Sequence, residues 1–134
     1  MNESILVIDD SNMIRSVTSR ILREQGYNVT SVENGLEGLK QLKSSRFDLI
    51  LCDINMPELD GISFTQRLKG SLEFQEQSHI PVIMLTTETD QYLEDQARQS
   101  GALAWMAKPY KPEQLLHIVR QGLDFVRNQV KQPS

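Results

Sequence analysis

The order of apolar segments predicts an α/β fold, five βα units wound around a parallel sheet. Three observations carry that prediction. Short apolar runs alternate with stretches of helical periodicity. Three of the runs are continuously apolar, as strands covered on both faces are. Glycines stand where two of the helical stretches end, a position that favours a residue without a Cβ.

The elements come in this order. Ile5–Ile8 reads as the first strand, and Ser11 suits the cap of a helix marked by Met13, Val17 and Ile21 with Ile14 and Leu22. Gly26 closes that helix. Asn28–Val32 mixes polar residues with Val29 and Val32 and reads as a less buried strand, followed by a helix on Leu36, Leu39 and Leu42. Leu49–Cys52 is the third strand. Met56-Pro57 and Asp60-Gly61 form a tight loop into a helix carrying Ile62, Phe64 and Leu68. Gly70–His79 is longer than that connection needs, and Phe74 within it is placed for an extra helix or a packing contact. Val82–Leu85 is the fourth strand, and Thr89 suits the start of a helix with Tyr92, Leu93 and Ala97 that closes at Gly101. Ala102–Met106 is the fifth strand. Lys111-Pro112 opens the last helix, on Leu115, Ile118, Val119, Leu123 and Val126, because proline lacks only an N–H that would be unpaired there.

At 134 residues and 39% hydrophobic content, the chain is expected to form one domain over residues 1–127, with 128–134 a frayed tail. A net charge of -4 and scattered basic residues argue against a nucleic-acid binder, which needs clustered Lys and Arg to neutralise phosphates. One cysteine excludes an internal disulfide, and no apolar run approaches the roughly twenty residues of a membrane span. Without a secretion signal, the expected location is cytoplasmic.

The chemistry gathers at one edge. In a parallel α/β sheet, ligands sit beyond the carboxyl ends of the strands. Asp9 and Asp10 follow the first strand, Asp53 the third and Thr86 the fourth, and Lys108 stands just beyond the fifth. Clustered carboxylates raise one another's pKa and call for a cation, so a magnesium-assisted phosphoryl site is the expectation. A lone aspartate after a strand is an ordinary turn or cap residue, and a lysine before proline is ordinarily a solvated loop residue. Their combination is what gives them weight.

Val7-Ile8-Asp9-Asp10-Ser11, Cys52-Asp53-Ile54-Asn55-Met56-Pro57 with Asp60-Gly61, Leu85-Thr86-Thr87-Glu88, and Gly101-Ala102 followed by Lys108-Pro109-Tyr110 span residues 5 to 125 in one order. In that order and spacing the chain resembles the CheY-like receiver domain of two-component response regulators. The resemblance implies a flavodoxin-like (βα)5 three-layer sandwich with strand order 2-1-3-4-5. It implies that Asp53 accepts a phosphoryl group from a sensor histidine kinase. It implies Mg²⁺ held by Asp10, Asp53 and the Asn55 backbone carbonyl, with Asp9 acting through a metal-bound water. Lys108 and Thr86 would answer the phosphoryl charge, and a cis Lys108–Pro109 bond is expected, although sequence alone favours trans.

Thr86 and the aromatic at Trp105 would act as the switch, tryptophan standing where tyrosine or phenylalanine is usual. Asn55 and Glu88 would tune attack by water, giving self-dephosphorylation in seconds to minutes. The output surface would be the fourth helix, fifth strand and fifth helix. With no effector domain in the 134 residues, a stand-alone monomer is expected. Its partners would be a CheA-like histidine kinase, a downstream protein such as the flagellar motor switch, and a phosphatase. The alternatives are a phosphorelay intermediate or a phosphate sink.

The rival is a haloacid dehalogenase-like phosphatase, which also combines aspartate, Mg²⁺, Thr or Ser, and Lys. Those enzymes place an acidic residue two positions after the nucleophile, and here Asn55 stands there, whose amide cannot donate a proton to an ester leaving group. A multiple-turnover enzyme is therefore not expected. A calcium loop around Asp53 is excluded because Phe64 occupies the place of its bidentate glutamate. Asn34-Gly35-Leu36-Glu37-Gly38 lacks the dinucleotide fingerprint. His79 and His117 have no ligand partner at metal spacing and read as surface residues, and Cys52 as a small buried hydrophobe.

Overall fold

The computed structural model describes residues 2–87 and 91–131, with side chains through Asn128. Five strands, β1 (Ser4–Ile8), β2 (Asn28–Val32), β3 (Leu49–Asp53), β4 (Val82–Thr86) and β5 (Ala104–Ala107), form one parallel sheet in the order β2-β1-β3-β4-β5. The helices are α1 (Asn12–Glu24), α2 (Gly35–Ser44), α3 (Gly61–Gly70), α4 (Gln91–Gln99) and α5 (Pro112–Lys131), with a 3₁₀ segment, Leu72–Gln77, between α3 and β4.

Alternation along the strands divides the core in two. Leu6, Ile8, Ile50, Cys52, Val82 and Met84 face one layer, where they meet Leu39, Leu42, Phe64, Leu68, Phe74 and Ala97 from α2, α3, the 3₁₀ segment and α4. Ile5, Val7, Leu49, Leu51, Ile83 and Leu85 face the other, against Leu22 of α1 and Leu115, Val119 and Leu123 of α5. Successive strand residues point to opposite faces, so a strand covered twice must be apolar throughout.

Both glycine-ended helices close as expected. Gly26 (φ +92) donates to the Arg23 carbonyl and Tyr27 to Leu22; Gly101 (φ +106) donates to Arg98 and Ala102 to Ala97. These paired bonds satisfy carbonyls that the helix leaves open. At the other end, the Ser11 hydroxyl accepts from the Ile14 N–H at 3.3 Å.

Three expectations need correction. On α1 Leu22 is buried and Ile21 packs against the core as expected, but Met13 and Val17 are 75% and 42% exposed and Thr18 and Ser19 are buried instead. Thr18 can enter the core because its hydroxyl meets the Tyr110 hydroxyl at 2.6 Å. Leu36 and Tyr92 are likewise exposed rather than packed. β5 starts at Ala104, two residues late: the Ala102 N–H is used to close α4, and the bonding to β4 begins with the Leu103 N–H, which donates to the Val82 carbonyl at 2.8 Å. The last helix is described through Lys131.

The long Gly70–His79 connection resolves into the 3₁₀ segment, which places Phe74 wholly inside the core. Burying a phenylalanine contributes about 1.5–3 kcal/mol, enough to hold a short segment that has little helical stability alone. Lys69 fastens the chain between this segment and β4, donating to the carbonyls of Ser78 at 2.7 Å and Ile80 at 2.6 Å. His79 and His117 are exposed, as expected. No helix among the described residues is long and apolar enough to cross a membrane.

Candidate functional site

Strand register brings the predicted residues to one edge. Ile8 lies beside Cys52, Asp53 beside Leu85 and Thr86 beside Ala107. Asp9 and Lys108 each stand one residue beyond a strand. The ladder continues to them, since Asp9 N–H donates to the Val32 carbonyl at 3.1 Å and Lys108 N–H to the Thr86 carbonyl at 2.7 Å. The side chains are therefore carried by backbone already fixed by pairing.

The carboxylates of Asp9, Asp10 and Asp53 converge, with an oxygen from each lying within 4.8 Å of the others. Asp9 and Asp53 are buried and Asp10 is exposed. Lys108 bridges the two buried acids, its Nζ 2.6 Å from Asp9 Oδ2 and 3.3 Å from Asp53 Oδ1. The second Asp9 oxygen accepts from the Ser11 N–H at 2.9 Å. One ammonium among three carboxylates leaves a negative excess.

The titration behaviour reflects that excess. Burial, and after it the charges of Asp9 and Asp10, push Asp53 up to about 6 against the pull of Lys108. Burial pulls Lys108 down, but its hydrogen bond to Asp9 and the charges of Asp53 and Asp9 outweigh that, and its pKa is raised. Three hard oxygen donors with one open side fit Mg²⁺, which takes carboxylates together with water and phosphate oxygens.

The remaining predicted residues are distributed around this centre. Thr86 is buried at the end of β4, and Asn55 is exposed on the loop two residues past Asp53. Glu88 lies outside the described residues, as does Thr89. Trp105 is partly buried and set apart from the carboxylates, packing against the α2–α4 side of the core. The Lys108–Pro109 bond is cis. Cys52 is fully buried and burial pushes its thiol well up, which suppresses the reactive thiolate.

The loop after Asp53 shows why the sequence there is Met-Pro-Glu-Leu-Asp-Gly. A Cβ on Gly61 would stand 2.4 Å from the Asp53 carbonyl oxygen, so only glycine lets α3 begin so close to β3. Asp60 caps α3, its Oδ1 accepting from Ser63 N–H at 2.8 Å. Glu58 takes a left-handed φ of 73, and Leu59 N–H donates back to the Pro57 carbonyl at 2.8 Å. A non-glycine residue held there stores strain of about 1 kcal/mol or more beside the site.

Two contributors escaped the sequence reading. Arg15 folds back from α1, its Nη1 donating to the Asp9 carbonyl at 2.5 Å and its Nη2 to Asn12 Oδ1. A basic residue one turn past the cap of a helix that follows an acidic pair was the available signal. Met13, Ile14, Val17, Pro109 and Tyr110 form a partly exposed apolar rim next to Lys108. That rim joins residues more than ninety positions apart, which periodicity within one helix does not reveal.

Comparison with known proteins places this geometry. The family model for the response regulator receiver domain matches residues 5–120. Sporulation initiation phosphotransferase F of Bacillus subtilis is 31% identical over 128 residues, covering 96% of this chain and 99% of that protein. Chemotaxis protein CheY-3 of Vibrio cholerae is 33% identical over 110 residues, 81% of this chain and 82% of that one. The chain spans 53% of another relative, the alkaline phosphatase synthesis transcriptional regulatory protein PhoP of Bacillus subtilis, at 31% identity. Among solved structures, Vibrio cholerae CheY4 superposes with a TM-score of 0.85 at 35% identity, covering 92% of this chain and 100% of that one. The receiver domain of sensor histidine kinase PA1611 of Pseudomonas aeruginosa, with magnesium coordinated in its active-site cleft, gives 0.83 at 29% identity, covering 92% and 99%.

Proposed function

The chain belongs to the response regulator receiver family, and from that premise we propose that Asp53 is its phosphoacceptor, charged by a sensor histidine kinase and read out by protein binding. The observation that carries this is the position of the Asp53 carboxylate: buried, 3.3 Å from Lys108 Nζ and grouped with Asp9 and Asp10 at the carboxyl edge of the sheet.

In the transfer, an Asp53 oxygen attacks the phosphorus of a phosphohistidine, the P–N bond breaks, and the imidazole leaves and takes up a proton from solvent. Lys108 meets charge on the phosphoryl oxygens, moving part of its interaction away from Asp53 as that carboxylate becomes an ester-like oxygen. The Thr86 hydroxyl takes a second phosphoryl oxygen. Asp10, Asp53 and the Asn55 carbonyl would hold Mg²⁺, with Asp9 acting through water. When bound, the ion neutralises the acidic edge and the incoming phosphoryl oxygens. Phosphoimidazole is a good leaving group, so no general acid is needed, and Asn55 in the place of one argues against a multiple-turnover phosphatase. Asn55 and Glu88 tune attack by water on the acyl phosphate.

The apolar rim beside Lys108 favours a protein donor, because a small phosphate ester would leave that surface unused. The downstream reading is chemotaxis, with a CheA-like kinase, the flagellar motor switch as target and an auxiliary phosphatase. Support comes from the relation to CheY-3 and CheY4 and from Asn55 and Glu88. Similarity to the sporulation phosphotransferase keeps a relay intermediate as the second reading. The proposed setting is the cytoplasm.

Intact mass spectrometry after incubation with acetyl phosphate and Mg²⁺ tests the central claim. Wild type should gain one hydroxylamine-labile phosphoryl group and Asp53→Asn none. Equal labelling of the variant, or none of the wild type, overturns it.

A further inference from the structure

We propose that Arg98 is a latch on Trp105, stacking on the indole to hold it in its unphosphorylated position and so setting how readily the switch is thrown. This deepens the reading of Trp105 as the switch aromatic and rests on it.

The indole meets both the core and a cation. Trp105 pairs with Met84 across β4 and β5 and packs partly buried against the core. The Arg98 guanidinium of α4 lies over its ring, with Cζ 5.3 Å from the centroid. A cation in that position is attracted by the negative face of the ring, and tryptophan gives the strongest such attraction of any side chain. Arg98 is itself steadied by Asp95, whose Oδ1 is 3.7 Å from Nη1. The indole also borders a small cavity lined by Ile54, Thr86, Leu93, Glu94 and Ala97.

That cavity joins the switch pair, since Thr86 and Trp105 both line it. In the switch reading Thr86 moves toward a phosphoryl group and the indole follows it inward, and an indole that turns toward Thr86 gives up its place under the guanidinium. Whatever the stack contributes therefore opposes the inward state. By linkage, a ligand that favours the inward state binds more weakly by the same factor while the stack is intact. Because a cation–π contact at an exposed site is modest, that factor is about two- to fivefold. The unusual tryptophan gains a purpose: a smaller ring would bind the same arginine less firmly.

Beryllofluoride, an inorganic phosphoryl mimic, titrated at saturating Mg²⁺ provides the test, with affinity measured by calorimetry and the indole followed by its emission. Trp105 is the sole tryptophan, so the emission is unambiguous. Arg98 is 65% exposed, so its replacement leaves the core intact. Arg98→Ala should bind the mimic about two- to fivefold more tightly than wild type, with Arg98→Lys in between. If wild-type emission responds but Arg98→Ala binds no more tightly, the latch is overturned and the switch reading stands. If the mimic binds wild type without any change in Trp105 emission, the switch reading fails and the latch falls with it.

Discussion

Two partly buried lysines sit in different surroundings, and the contrast explains how one chain can be both stable and reactive. Lys69, below the start of β4, donates to the neutral carbonyls of Ser78 and Ile80, and burial lowers its pKa to about 8. Lys108, at the carboxyl edge, faces Asp9 and Asp53, and its pKa is raised. The first closes a loop by saturating acceptors that would otherwise be unpaired. The second sits in a site with more negative charge than it can balance. Lys69 thus meets neutral acceptors that it pairs within the fold, whereas Lys108 stands among carboxylates whose excess negative charge suits a bound cation.

Removing each cation gives the sharpest contrast. Lys108→Met leaves two buried carboxylates without their partner, and urea denaturation of the metal-free variant should show a loss of about 3 kcal/mol. Phosphoryl transfer from acetyl phosphate should slow at least about tenfold, the usual scale for deleting a group that meets transition-state charge. A loss no larger than that of Lys69→Met would break the comparison.

Removing a carboxylate should act in the opposite sense. Asp53→Asn is expected to stabilise the metal-free chain by about 1–2 kcal/mol at neutral pH, since it deletes a buried charge that its neighbours repel. The pH dependence has a definite sign. Asp53 has its folded pKa raised from 3.8 to about 6, so the folded state holds its proton longer than the unfolded one. This group's contribution therefore falls as pH rises from about 4 to 6. Denaturation midpoints compared across that window should converge at the acid end. Mg²⁺ should raise the melting temperature of wild type more than that of the variant.

The smallest effect belongs to the structural end. Lys69→Met should cost about 1 kcal/mol, with two carbonyls losing a donor and a desolvated ammonium removed. Phosphoryl transfer should be unchanged. Lys69 has its folded pKa lowered from 10.5 to about 8, so wild-type stability should rise between those values and the variant should lack that rise. Slower phosphorylation in Lys69→Met would show that the two ends are coupled.

Much of the site was legible in the sequence. Asp9, Asp53 and Thr86 follow apolar strands directly, and a parallel sheet sends every strand's carboxyl end to the same edge, so sequence position translated into spatial position. Arg15 and the Arg98–Trp105 stack were not legible. Arginine has a long side chain that can fold back along its helix or reach across to a strand, and only the packed neighbours decide which.

Sequence by itself determined the five βα units, the glycine-closed ends of α1 and α4, the two-faced burial of β1, β3 and β4, and the convergence of three carboxylates. Each stems from local rules, namely strand alternation, the absence of a Cβ in glycine and the direction of parallel strands. Tertiary structure alone decided which face of α1 is buried. Met13 and Val17 stay exposed while Thr18, Ser19 and Leu22 turn inward, and the buried Thr18 hydroxyl finds its partner in Tyr110, nearly a hundred residues away. It likewise decided how Lys108 divides itself between Asp9 and Asp53. Such contacts depend on where distant segments meet, and that is set by the cooperative packing of both layers against the sheet.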